Sequence, residues 1–203
     1  MRLINFTTLL LLNLVALVMS AQKDAQSIYE GNDMYHSGKI LESSSKYTRA
    51  LELNPNNKKA NFNLGNSLYK NAQAVKSGNL GMPPNSKMTP DSLSKLIFDK
   101  AAQNFAVVAN SVSDKDTLHQ AWHNIGNCYL QKKEYQEAVN AYKKSLKYDP
   151  KDEETRYNLA YALKNLPKEK KNGGGGGQNN QPQNKKEEDK KDKEKNAQPQ
   201  QTQ

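Results

Sequence analysis

The chain is poor in the residues that staple or fill small folds, with one cysteine, one tryptophan and four phenylalanines among 203 residues. A single cysteine excludes an intramolecular disulfide framework and most zinc modules, which need several thiolates. Hydrophobic residues make up 35% of the chain, or about 40% once the 11 glycines are added, against roughly 45–50% in ordinary domains. Such a deficit combines a folded part with a part that cannot bury a core. Only one long apolar run is present, which excludes a polytopic membrane protein. Basic residues outnumber acidic ones by 30 to 21, but the excess is spread. It is +1 near the N-terminus, +5 over residues 22–166 and +3 over residues 167–203. No basic stripe or nucleic-acid-binding motif accompanies it, so nucleic acid is not expected as a partner.

The two ends account for the missing hydrophobicity. Arg2, the apolar run Leu9 to Met19 and the small-residue pattern Val18-Met19-Ser20 read as a secretory signal, residues 1–20, cut after about Ser20. With only 11 apolar residues, interrupted by Asn13, the run falls short of the roughly 20 needed to span a bilayer. No stable membrane span is expected after cleavage, and a periplasmic location follows. Residues 167–203 hold no aromatic or branched aliphatic side chain. They begin near the run Gly173 to Gly177 and continue as Gln/Asn-rich sequence around a Lys/Glu/Asp block, the composition of a disordered tail.

Residues 22–166 repeat. Gly31 and Gly65 stand 34 apart, as do Gly126 and Ala160, and a period in this range marks a stack of short structural units. One unit reads Trp122, Ile125, Gly126, Tyr129, Ala138, Tyr142, Ser145 and Pro150. A second offers Gly31, Met34, Ser43, Tyr47, Ala50 and Pro55, and a third Leu64, Gly65, Leu68, Ala101 and Phe105. Small residues allow two antiparallel helices to approach, and large ones fill the space beside them. Asn57 and Asp152 are apt helix N-caps, and Pro55 and Pro150 end the helices before them.

On these residues the chain resembles the tetratricopeptide repeat (TPR) superfamily. The expected fold is all-α, a TPR solenoid of three helix-turn-helix repeats plus a C-terminal capping helix, with a loop insertion inside repeat two. The repeats fall at 24–57, 58–115 and 119–152, the insertion at about 73–96, and the cap helix at 153–166. Thr89-Pro90-Asp91 predicts that the second helix of repeat two starts near Pro90 and runs to about Asn110. The cap is expected to turn Leu159, Ala160 and Leu163 inward, sealing the last hydrophobic face.

The resemblance implies a concave groove lined by the first helix of each repeat. At the positions it implies stand Asn32, Asn66 and Asn127 in one row and Asn63, Asn124 and Asn158 in another. Asparagine is a poor helix former, so its recurrence needs a reason. Side-chain amides suit the alternating donors and acceptors of an extended peptide; equally, they could bond one another and hold the solenoid in register. Phe62, Tyr69, His123, Tyr157 and Tyr161 stand among them, with Lys59 and Lys70 as candidate carboxylate contacts. Both lysines lie in repeat two, which speaks against capture of a C-terminal carboxylate. His119 and His123 echo a zinc-protease helix, but Gln120 replaces the general base and the ligand count is too small. They are taken as a surface pair, and Cys128 as a small buried hydrophobe. No catalytic arrangement, cofactor or metal is expected.

The signal, the long second-repeat insertion, Arg156-Tyr157-Asn158-Leu159-Ala160 and the glycine run with its polar tail together resemble the TPR components of Bat (Bacteroides aerotolerance) operons. That resemblance implies an envelope scaffold working with von Willebrand factor A domain membrane proteins in aerotolerance or oxidative-stress complexes. The alternative expectation is a structural envelope element whose tail contacts peptidoglycan or another polymer.

Overall fold

A computed structural model of the protein describes residues 6–83 and 86–167. Residues 1–5 of the expected signal and residues 168–203 of the expected tail lie outside the described residues. The described chain forms α1 (Phe6–His36), α2 (Ile40–Leu53), α3 (Lys58–Lys76), α4 (Pro90–Ser111), α5 (Lys115–Lys132), α6 (Tyr135–Ser145) and α7 (Glu153–Asn165). Each packs mainly on its neighbours in sequence, with weaker α1–α3 and α5–α7 contacts. Three antiparallel pairs and one unpaired helix result. This is a TPR solenoid with a capping helix.

Local chemistry sets the helix starts. Asn57, Thr89, Asp114 and Asp152 each accept a backbone N–H from the first turn of α3, α4, α5 and α7, and Pro90 occupies the first turn of α4. These caps satisfy donors that a helix terminus leaves unpaired. The α1–α2 and α5–α6 turns use a left-handed residue at equivalent positions, Gly38 (φ 76°) and Lys133 (φ 65°).

The pairs close over glycine. A Cβ built on Gly31, Gly65 or Gly126 would lie 2.6, 2.7 and 2.5 Å from the rings of Tyr47, Phe105 and Tyr142. Each ring therefore rests directly on the partner helix backbone, and no larger residue fits without displacement. Around these contacts sit three apolar clusters. Ile28, Ala50, Ala60 and Leu64 gather with Tyr47; Ala72, Phe98, Ala101, Ala102, Ile125, Cys128 and Ala141 gather with Phe105; Ala138, Val139 and Ala162 gather with Tyr142.

The second helix of repeat two starts at Pro90 as expected and ends at Ser111. The loop part of the insertion is shorter at its start than expected, because α3 runs on to Lys76 and residues 77–89 join the two helices. α1 is one continuous helix from Phe6 to His36. No helix among the described residues is long and apolar enough to cross a membrane. α7 caps the last pair, but its packing face differs from the expected one. Thr155 and Ala162 are buried and Leu159 is half-buried, whereas Ala160 and Leu163 are exposed. Ala160 occupies the place of Gly126 and is exposed.

Two substitutions test this geometry by thermal unfolding. Gly126→Ala is expected to destabilise by about 1–3 kcal/mol, because overpacking against Tyr142 exceeds the gain in helix propensity. Lys133→Gly is expected to stabilise by about 1 kcal/mol by relieving the left-handed backbone.

Candidate functional site

The two rows of asparagine meet across the stack. Asn32 Oδ1 accepts a hydrogen bond from the Tyr47 hydroxyl and another from Asn63 Nδ2, both at 2.8 Å. Asn127 Oδ1 likewise accepts from the Tyr142 hydroxyl at 2.6 Å and from Asn158 Nδ2 at 3.2 Å. One amide thus ties three helices together: its own, the second helix of its repeat and the first helix of the next. The register role accounts for these four asparagines.

The middle pair departs from this pattern. Asn124 Nδ2 reaches Asn66 Oδ1 only at 3.5 Å, the outer limit of a hydrogen bond. The ring at the equivalent position is Phe105, which has no hydroxyl to donate. Asn66 and Asn124 therefore keep most of their donor and acceptor capacity, and they face a cavity of about 370 Å³. Phe62, His119, Gln120, His123, Asp152 and Glu154 complete its lining.

A polar relay fixes the wall of this cavity. With its oxygen turned to Tyr142 and Asn158, Asn127 presents Nδ2 to His123 Nε2 at 2.8 Å. Nε2 must then be the acceptor, which leaves the ring proton on Nδ1. Nδ1 lies 2.5 Å from Thr155 Oγ1, and that hydroxyl donates to Asp152 Oδ2. His123 is thereby held neutral. Burial lowers its pKa, against the pull of Glu154 and Asp152, and His119 lowers it further. At Asp152 burial raises the pKa, but the Thr155 hydroxyl and backbone N–H outweigh it and keep the carboxylate ionised.

His119 and His123 are not a surface pair. Their side chains are 15% and 13% exposed, and Ser145 Oγ lies 2.8 Å from His119 Nδ1. Among the described residues no group of three or more His, Cys, Asp or Glu side chains could hold a metal ion. Cys128 is buried in the central cluster, and burial pushes its thiol pKa up.

The remaining candidate residues divide. Phe62 meets Phe105 edge-on at 5.5 Å and still lines the cavity. Lys59 and Asn63 line an adjoining cavity with Phe62, Val108 and Gln120. Tyr157, Asn158 and Tyr161 line a third with Lys76, Gln131 and Lys133. Tyr69 instead packs edge-on against Phe98 at 5.4 Å, where burial raises its pKa. Lys70 lies over the Tyr35 ring at 4.2 Å. Lys59 and Lys70 are separated by about 16 Å along α3 at 1.5 Å per residue, so they cannot grip one carboxylate together.

Sequence reasoning missed His119, Gln120, Asp152 and Glu154 as cavity residues. The substitution of Phe105 for the tyrosine found at Tyr47 and Tyr142 was a readable signal that Asn66 differs from its counterparts.

A stack of helix pairs with a polar channel along its first helices defines a helical-repeat module, and the comparisons name the repeat. The tetratricopeptide repeat family model matches residues 119–152, and a TPR repeat model matches residues 31–71. The chain carries tetratricopeptide repeats. No curated protein sequence matches it. Among solved structures it is similar to the first TPR of Spaghetti (RPAP3) bound to the HSP90 peptide SRMEEVD, at 16% identity and TM-score 0.54, covering 71% of this chain and 94% of that one. The Arabidopsis OM64 TPR domain is similar at 15% identity and TM-score 0.54, covering 71% and 98%. The N-terminal domain of stress-induced protein-1 (STI-1) from C. elegans follows at 16% and 0.51, covering 71% and 97%.

The two kinds of asparagine should separate experimentally. Asn127→Ala removes the amide that the Tyr142 hydroxyl and His123 Nε2 bond to and should cost about 1–3 kcal/mol of stability. Asn66→Ala, which breaks only a long contact, should stay within about 0.5 kcal/mol. Acidification adds a second check. The unfolded chain protonates His123 near pH 6.5 and the folded chain only below it, so the contribution is complete above about 6.5 and declines as pH falls. Melting temperatures taken from about pH 7 to about pH 5 should fall more steeply for the wild type than for His123→Gln.

Proposed function

We propose that the protein is a non-catalytic interaction adaptor that holds an extended segment of a partner protein in the groove at Asn66 and Asn124. The observation carrying this reading is that, of the three asparagine pairs, only this one is left largely unsatisfied beside an open cavity. Two primary amides on facing helices can donate to and accept from a peptide backbone, and Phe62 adds an apolar surface. The similar RPAP3 domain carrying an HSP90 peptide supports a peptide as occupant. Separation of Lys59 from Lys70 argues for an internal segment rather than a chain terminus, and Asp152 and Glu154 favour a segment without acidic side chains at this point.

The setting we propose is the bacterial envelope. Arg2, the apolar run and the small residues before Ala21 support export with cleavage after about Ser20. The resemblance to Bat-operon components supports von Willebrand factor A domain membrane proteins as partners in aerotolerance.

Cross-linking in the native envelope, with the captured proteins identified, tests both parts. The double variant Asn66→Ala with Asn124→Ala should keep its melting temperature and lose about tenfold in partner recovery, the equivalent of two peptide hydrogen bonds. Unchanged recovery would refute the groove. Loss on deleting residues 167–203, with the groove variants unaffected, would favour the tail instead.

A further inference from the structure

One side of α7 is exposed. In each complete pair a ring from the second helix covers the small residue of the first, Tyr47 on Gly31, Phe105 on Gly65 and Tyr142 on Gly126. Ala160 holds the same repeat position on α7 and is exposed among the described residues. Residues 168–203 contain no aromatic or branched aliphatic side chain.

Four exposed residues, Glu153, Tyr157, Ala160 and Lys164, follow one another at intervals of four, three and four. They form one stripe along α7, opposite the buried Thr155 and Ala162. Tyr157 is 72% exposed. Glu153 meets only Arg156 of its own helix, at 3.6 Å, and Lys164 makes no ion pair among the described residues. Read from opposite ends, the stripe complements itself. An antiparallel copy sets acid against base and ring against small residue.

We infer that α7 pairs antiparallel with α7 of a second copy of this chain, placing Tyr157 on Ala160 of the partner subunit and Glu153 beside Lys164 of the partner subunit. Both contacts occur twice about a two-fold axis crossing α7 between Asn158 and Leu159, as an isologous interface requires. Tyr157 then supplies in trans the ring that a second helix supplies in the complete repeats. Leu163, also exposed, flanks the stripe and is shielded with it. The helix is about 20 Å long at 1.5 Å per residue, so the interface is small and the dimer dissociates on dilution.

Sedimentation velocity on the full chain as purified, over a wide concentration range, is the test. The wild type should pass from monomer to dimer as concentration rises. Ala160→Glu should weaken the dimer by about tenfold or more by burying a charge at the axis. Glu153→Lys and Lys164→Glu each set like charges together and should each weaken it by about fivefold, while the double exchange restores wild-type association. These positions are solvent-exposed, and circular dichroism should show unchanged folding. Asn66→Ala with Asn124→Ala should leave the dimer intact, which separates this surface from the groove. A monomer at every concentration overturns the pairing, as does a dimer indifferent to Ala160→Glu. A dimer that resists the charge exchanges but vanishes on removal of residues 1–20 overturns it too, naming the apolar N-terminal run as the occupant.

Discussion

The structure depends on an aromatic ring resting on a glycine. Tyr47, Phe105 and Tyr142 lie on Gly31, Gly65 and Gly126 so closely that a Cβ has no room. That contact sets how near the two helices of each pair approach. It also sets where the next pair can stack, because an apolar cluster gathers around each ring. A helical repeat has no long-range closure to correct an error in one unit, so the contact recurs in every complete unit.

The hydroxyl of the ring extends this contact into the polar layer. Where the ring is tyrosine, its O–H reaches the asparagine of the facing helix, and that amide also takes an N–H from the next first helix. Pair geometry and stacking register are thus coupled through one oxygen. Where the ring is Phe105 the coupling is missing, and Asn66 and Asn124 are left with only a long contact beside a cavity. On α7 no such ring contact is made among the described residues, and Ala160 is exposed.

Much of the fold was legible in the sequence. The glycine spacing marked the pairs, Asn57, Thr89 and Asp152 marked helix starts, and Pro90 marked the start of α4. These are local signals, set by backbone donors that must be capped and by side chains that fit or do not fit against a helix. The inward face of α7 was misjudged because an amphipathic pattern does not reveal which neighbours exist. Leu163 looks like a core residue by spacing, yet among the described residues no neighbour covers it and it is exposed.

The candidate site was legible as a set of residues but not as a set of roles. Recurrence identified all six asparagines, and the sequence by itself determined that amides would line one face of the first helices. Only the tertiary structure decided which of them were spent on register, because a hydrogen bond depends on ångström-scale distances between helices far apart in sequence. Asn32, Asn63, Asn127 and Asn158 are committed to one another and to tyrosines, while Asn66 and Asn124 are not. The same holds for His119 and His123, whose spacing on one helix is a sequence fact. Their burial against Ser145, Asp152 and Thr155 is a consequence of how α6 and α7 return to pack beside α5.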